Sequence, residues 1–339
     1  MNVTQEGFKP VHFWMPRSFL SGVIRPRYWR NIFDVPMSVR ILRSDWSRFP
    51  NVVLFSYAQN AHKGKICLTF SHQNTFLNCS YRWRPVAQAL WKLIQQHPGR
   101  IFQEVPIDVS DCCDSIVPDE TIRFSKLPHD VHDLIPNPFL LSSRKSIPQA
   151  IPWKRKTDTL YFRGALTGPI PIDHNSRVAA CLESKTIPDS DCKLSQFPHT
   201  TTDVLEDLKK RNVVGDIDQT KKINHHRYQL EIDGNASSWH RYWLIGMFRC
   251  VPVRFECRWQ ECWHDDLMQD IHFVHASRHT LKNIIEQLRS HPLESARIAE
   301  NAAEFVRAAL TKKVMQKKFE NVLLQRSVKK SLSMKKLSA

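Results

Sequence analysis

The chain has 339 residues, with 49 Lys and Arg against 33 Asp and Glu and a formal charge of +16, a length that suits two ordinary domains or one large α/β unit. A hydrophobic content of 42% with 10% aromatics excludes a disordered or collagen-like chain, and no stretch approaches the ~18 uninterrupted apolar residues of a transmembrane helix. None of the nine glycines falls in a GxGxxG or GxxxxGKS/T spacing, so the Gly-rich dinucleotide fingerprint and the P-loop are both absent.

In chain order, the first 60 residues mix Trp, Arg and Pro without a clear period. Val52–Tyr57 and Lys65–Phe70 read as short strands and Val86–Gln96 as a helix that Gly99 and Arg100 break. Ile101–Val109 follows as a buried strand running into the acidic turn Asp108–Asp114, and residues 115–150, rich in Pro and Ser, read as an interdomain connection. Thr159–Arg163 is a short apolar strand leading to Gly164 and Gly168, and a helix is expected near Asp203–Lys210. Tyr228–Ile232 reads as a strand, Asp233, Gly234 and Asn235 as a turn, Ser237–Gly246 as a helix and Phe248–Phe255 as another strand. That βαβ unit implies a parallel sheet with a ligand crevice at the carboxyl ends of its strands. Two amphipathic helices close the region, one marked by Leu281, Ile284, Ile285 and Leu288, the other by Ile298, Ala302, Phe305, Val306 and Ala309.

The charge is concentrated at the ends. Residues 1–30 carry five Lys or Arg against Glu6, and residues 312–339 carry nine against Glu320, so the termini hold +12 of the +16. A protein gripping a long polyanion carries its charge on the folded body. Basic ends suit an anionic membrane surface better, the plain alternative being a solvated tail without a partner. The nine cysteines are odd in number, contain no CxxC and match no zinc or disulfide framework. The N-terminus lacks the pattern of a signal peptide. A reducing, cytoplasmic setting is therefore expected.

The turn Asp233-Gly234-Asn235, feeding a helix that starts with Ala236, Ser237 and Ser238, is a candidate anion site. Gly234 permits positive φ, small residues allow close approach, and the first N–H groups of a helix point outward. His240 and Arg241, one turn on, can add positive charge, and a capped helix end without ligand is the alternative. Arg163, before a Gly-containing turn, is a second candidate for phosphate contact. The triplets at Asp189/Asp191 and Asp216/Asp218 invite a metal-dependent reading but lie in polar, loop-like stretches. The pair His225/His226 and the set His264, His272, His275 and His279 lack metal-ligand spacing.

The segment TLYFRG at 159–164 with Thr167 and Arg177, followed by HRYQLEIDGNASSW at 226–239, resembles glycosyltransferase family 90, which includes lipopolysaccharide core glycosyltransferases and Rumi-type protein O-glucosyltransferases. The order continues through Val251–Phe255, Trp259, Trp263, His272–Val274, the segment AENA at 299–302 and Phe305 to Thr311, so the resemblance covers about residues 100–311.

The resemblance implies an α/β, GT-B-like fold of two Rossmann-like domains facing across a cleft. Residues 1–145 would form an acceptor-side domain, 146–311 a nucleotide-sugar domain and 312–339 a basic helix or tail. It implies an inverting transfer from a UDP-sugar to a glycan or lipid-linked glycan, with no obligatory metal or cofactor and no nucleic-acid partner. Donor contacts would come from Arg163, Gly164, Thr167, Arg177, Gly234, Asn235, Ala236, Ser237, Ser238 and His240 or Arg241; Rumi-type members have Arg at the His240 position. The general base would be Asp111, which follows the segment VPIDVS at 105–110, with Asp108 and Asp114 as neighbouring alternatives. Such a transfer needs a carboxylate to take the acceptor proton and fixed positive charge to stabilise the departing diphosphate. The expected enzyme serves lipopolysaccharide or surface-glycan synthesis at the inner face of the membrane. The competing readings are a relative that modifies a protein or soluble glycan, and a basic nucleic-acid-binding protein.

Overall fold

The computed structural model describes residues 37–42, 51–60, 63–71, 80–98, 102, 105–110, 117–142, 147–169, 171–198, 200–217 and 220–337. They fall into two compact units. One comprises the residues up to Ser110, those as far as Ile122 and those from Leu323 on; the other runs from Arg123 to Val322.

In the first unit, β1 (Met37–Leu42), β2 (Val52–Asn60), β3 (Lys63–Ser71) and β4 (Val105–Asp108) form a mixed sheet in the order β1-β3-β2-β4. β3 runs parallel to β1 and antiparallel to β2, and β2 runs antiparallel to β4. The buried run Val52–Phe55 anchors it. Of the strand expected over Ile101–Val109, Val105–Asp108 forms β4, and Pro106, which has no ladder donor, fits a strand that ends the order of the sheet. Helix α1 (Ser80–Gln96) starts six residues before the expected Val86 and contains Pro85. Its buried stripe of Trp83, Val86, Ala87, Leu90, Leu93 and Ile94 follows the helical period. Arg82, also buried, donates to Val109 O at 3.3 Å. Packing of that stripe outweighs the proline, since each buried large apolar side chain contributes about 1.5–3 kcal/mol.

The second unit opens with the short helix α2 (Pro138–Leu141), capped by Asn137. Its sheet has five strands, β5 (Thr157–Ala165), β6 (Ser190–Gln196), β7 (His226–Ile232), β8 (Val251–Phe255) and β9 (Val274–Ala276), all parallel, in the order β6-β5-β7-β8-β9. The expected α/β class and parallel sheet are observed. Parallel strands covered on both faces read as unbroken apolar runs, as at Tyr228–Ile232 and Val251–Phe255, where every residue is buried. Helices α3 (Ser176–Glu183) and α4 (Thr202–Lys210) lie on either side of β6 in sequence. α5 (Arg241–Met247) joins β7 to β8, α6 (Leu281–Ser290) and α7 (Pro292–Ala309) follow β9, and α8 (Lys312–Leu337) ends the chain. The stripes predicted for α6 and α7 are buried at Leu281, Ile285, Leu288, Ile298, Ala302 and Val306. α5 lies close on α7 at Gly246, where a Cβ would stand 2.9 Å from Ala302 O.

The strand order fixes where a ligand can sit. From β5 the chain steps outward to β6, and from β7 it steps the opposite way to β8. Right-handed crossovers then place α3 and α5 on opposite faces. The carboxyl ends of β5 and β7, adjacent in the sheet, are left with a crevice between diverging connections.

Candidate functional site

A cavity of about 400 Å³ lies at that crevice, within the size range of small-molecule sites. Each donor-site residue named from the sequence, from Arg163 and Gly164 at the end of β5 to Ser238, His240 and Arg241 after β7, lines it. Tyr161, Ser195, Gln196, Ile217, Ile223 and Leu244 add a partly apolar wall that the sequence did not single out.

Arg177 holds the crevice together from within. Its Nη1 donates to Ala165 O at 2.8 Å, its Nε to Asp233 O at 3.0 Å and its Nη2 to Ile232 O at 3.3 Å, so one guanidinium ties the end of β5 to the end of β7. Burial and the field of Arg241 lower its pKa to about 10, which leaves it charged at neutral pH. Asn175 caps α3 by accepting from the N–H groups of Arg177 and Val178, and its Nδ2 donates to Thr167 O at 3.0 Å. Asn235 Oδ1 accepts from Gly168 N at 2.9 Å, joining the two loops directly. Gly168, at φ +110°, is the residue here that needs glycine's conformational freedom. Gly234 is not among the positive-φ residues, contrary to expectation. It is glycine for space, since a Cβ would lie 2.8 Å from Arg177 Nη2 and closer still to Thr167 Oγ1.

The expected helix from Ser237 instead begins at Arg241. Local bonds hold the preceding residues in turns: Gly234 N donates to Ala236 O, Trp239 N to Ser237 O and Arg241 N to Ser238 O, while Ser237 Oγ donates to Glu261. Small polar residues that find partners off the helix favour such turns. The candidate anion site is therefore a loop. Among the described residues, the backbone N–H groups of Asn235, Ala236, Ser237 and Ser238 have no hydrogen-bond acceptor. Consecutive free N–H groups beside a cavity form the kind of concavity that takes anions.

The cations around this loop differ in availability. Arg163 pairs with both oxygens of Asp191, at 2.7 and 2.8 Å, and donates to Phe162 O and Asp191 O. His240 lies against Phe139, and desolvation with the fields of Arg241 and Arg177 holds its imidazole below the usual range, hence neutral at pH 7. Arg241 rests over the Phe162 ring at 5.1 Å and donates through Nη2 to Arg163 O. Its remaining guanidinium N–H groups have no acceptor among the described residues. It is thus the better placed of the two neighbours to meet a phosphate.

Beneath the loop lies Glu261, which no sequence signal marked. It is 2% exposed and accepts from Ser237 Oγ, from Asn137 Nδ2 at 2.5 Å and from Trp263 Nε1 at 3.1 Å. Burial pushes its pKa up to about 7. The buried Glu231 pairs with Arg254 at 3.1 Å, and Asp233 accepts the N–H groups of Arg258 and Trp259 at 2.7 and 3.0 Å.

The candidate base Asp111, with Asp114 and the basic residues of the first 30, lies outside the described residues. Asp108 is buried and its Oδ1 accepts from Ser110 N at 2.9 Å. Asp189 takes a positive φ of 52° before β6, and Asp191 is engaged by Arg163. Among the described residues no group of three or more His, Cys, Asp or Glu is placed to hold a metal ion. His226 stacks on Tyr161 with ring centroids 4.4 Å apart. Cys67, Cys181, Cys192, Cys250, Cys257 and Cys262 are free thiols, and burial pushes Cys181 up to about 12.

No curated protein matches the sequence. Among solved structures the chain is similar to TarM of S. aureus, with a TM-score of 0.41, 12% identity and coverage of 57% of this chain and 39% of that one. It is also similar to HepE of Anabaena in complex with UDP-glucose, with a TM-score of 0.36, 12% identity and coverage of 49% and 48%. A third is the C-terminal domain of a glycosyl transferase group 1 family protein, LpcC, from Francisella tularensis, with a TM-score of 0.33, 12% identity and coverage of 45% and 85%. The chain spans less than half the length of the first two. The family model described as glycosyl transferase family 90 matches residues 139–335, more than half of the chain and all of the cavity lining. The chain belongs to glycosyl transferase family 90.

Proposed function

We propose that this glycosyltransferase uses a UDP-sugar donor bound at the β5/β7 crevice and transfers the sugar with inversion to a hydroxyl of a glycan or lipid-linked glycan. The observation that carries the donor reading is the loop Asn235–Ser238, whose residues line the cavity beside Arg241 and whose N–H groups have no acceptor among the described residues. A diphosphate needs such donors twice, on binding and as the leaving group gathers charge. Arg241 meets the diphosphate, and Arg163, oriented by Asp191, supports the same wall. The partly apolar side with Tyr161, Ile223 and Leu244 suits a base.

In this reading Asp111 takes the acceptor's proton, and the charge on the departing diphosphate is met by protein groups without an obligatory metal. The acceptor belongs to lipopolysaccharide or another surface glycan, reached at the inner face of the membrane through the basic termini. Among the described residues no helix is long and apolar enough to cross a membrane.

The test is UDP release by the full chain from a panel of UDP-sugars, with and without EDTA. The acceptors are a lipopolysaccharide core, a soluble glycan and a folded protein, and UDP affinity is followed by calorimetry. Transfer to the core, unaffected by EDTA, is expected. Arg241→Ala should lower UDP affinity by about 1.5–3 kcal/mol, the worth of a charge-assisted phosphate contact. No UDP binding would overturn the donor reading, and transfer to the protein alone would replace the acceptor.

A further inference from the structure

Glu261 is a buried acid that the donor reading does not use. Its carboxylate receives three hydrogen bonds, and among the described residues no Lys, Arg or His pairs with it. The other charged groups nearby do not compensate it. Glu231 adds a negative field of its own and is matched by Arg254. Cys262, next in sequence, is held neutral by burial. A buried carboxylate without a counter-cation is costly to keep ionised.

Its position gives that cost a use. Ser237 lines the cavity and its Oγ donates to Glu261, so a phosphate that accepted from this hydroxyl would stand roughly two hydrogen-bond lengths, ~6 Å, from the carboxylate. Two anions at that spacing in a poorly solvated site favour protonation of one of them.

We propose that Glu261 is a positioning residue that takes up a proton when a nucleoside diphosphate enters the cavity, turning the Ser237 hydroxyl from the carboxylate toward the phosphate. Before binding, Ser237 donates to ionised Glu261. After binding, the protonated carboxyl donates its own O–H to Ser237 Oγ, and the freed Ser237 O–H donates to the ligand. One proton enters from solvent, and the hydrogen-bond count at Glu261 is preserved. This rests on the reading of the cavity as a diphosphate-sugar site.

The sign follows from linkage. With the cavity empty, burial holds the Glu261 pKa near 7, and the ligand's charge raises it further. The bound state therefore carries more protons. Affinity is full below the free-state pKa and falls by up to about tenfold per pH unit above it. His240, Arg177 and Arg241 also line the cavity. The two arginines stay charged throughout, and His240 is the other group that could gain a proton.

The test is calorimetric titration of the full chain with UDP-glucose, whose diphosphate diester does not titrate in this range, in buffers of different protonation enthalpy. Affinity should fall by on the order of 20-fold from about pH 6.5 to about pH 8.5, with proton uptake on binding. Uridine should show neither effect. Glu261→Gln, a neutral mimic of the protonated acid, should bind without proton uptake and with a flat pH profile, tighter than wild type at the alkaline end. Ser237→Ala removes a donor that lowers the Glu261 pKa, so it should move the midpoint to higher pH, and it decides the matter should Glu261→Gln fail to fold. Uptake that persists in folded Glu261→Gln, or that vanishes in His240→Gln, would overturn the proposal. Wild-type binding without uptake would overturn this inference alone. No binding at any pH would overturn the donor reading and the inference with it.

Discussion

Replacing Arg177 by Met should unfold the crevice before it affects any ligand. The methionine retains an unbranched apolar stem but deletes donors to Ala165 O, Ile232 O and Asp233 O, at 2.8, 3.3 and 3.0 Å. A buried acceptor stripped of its donor costs about 1–3 kcal/mol. Water entering from the cavity can satisfy part of that deficit, so the total should lie near the low end for three carbonyls, about 3–5 kcal/mol. Urea denaturation followed by tryptophan fluorescence would read this as a lower midpoint at unchanged slope. Arg177→Lys should recover only part of it, because an ammonium cannot present the guanidinium's planar fork to three acceptors. A different result would follow if Arg177 were chiefly a phosphate ligand. Stability would then stay within about 0.5 kcal/mol of wild type while UDP affinity collapsed, and that outcome would refute the structural role.

Three further outcomes are expected. Gly168→Ala, which forces a side chain onto φ +110° with Asn175 Nδ2 and Gly234 O each 3.3 Å from the new Cβ, should cost about 1–3 kcal/mol and lower the melting temperature. Asp111→Asn should slow transfer by roughly 10²–10⁴-fold with UDP affinity unchanged, whereas Asp108→Asn and Asp114→Asn should be far milder; the reverse pattern would displace the base. Because Met315, Phe319 and Leu323 of α8 are buried, the basic C-terminal segment is tested by substitution: replacing Lys329, Lys330, Lys335 and Lys336 by Ala should weaken salt-sensitive sedimentation with anionic vesicles, each basic residue being worth about 1 kcal/mol at such a surface. Unchanged sedimentation would leave those lysines without a role at a membrane.

The second unit was the more legible. β7, β8 and the stripes of α6 and α7 could be read from apolar runs and helical spacing because burial on both strand faces, or on one helix face, leaves a direct mark on residue order. The start of α5 could not. Ala236, Ser237 and Ser238 look like a helix entrance, but the competing partner that keeps Ser237 in a turn is Glu261, 24 residues further on. A side chain so placed has no local signature. Glu261 itself sits between Trp259 and Trp263 but beside Gln260 and close to Asp265 and Asp266, so nothing in its neighbourhood marked it as the buried acid. A further partner, Asn137, arrives from 124 residues upstream. The residues around the cavity were found through family motifs. Their division of labour was not, because whether Arg163 faces a phosphate or Asp191, and whether Arg177 binds a ligand or three carbonyls, depends on pairings that only the sheet order creates.

The Asn235–Gly168 bond and the Arg177 stitches bear on how the cavity fills. Fixing a mobile residue costs about 1–2 kcal/mol of backbone entropy, so a loop of four or five residues that ordered only on contact would forfeit much of a ligand's intrinsic affinity. Here both loops are already fastened to the strand ends. Binding energy goes into the contacts themselves, and the approach of a donor should be a single fast step without a slow rearrangement of the loop behind it.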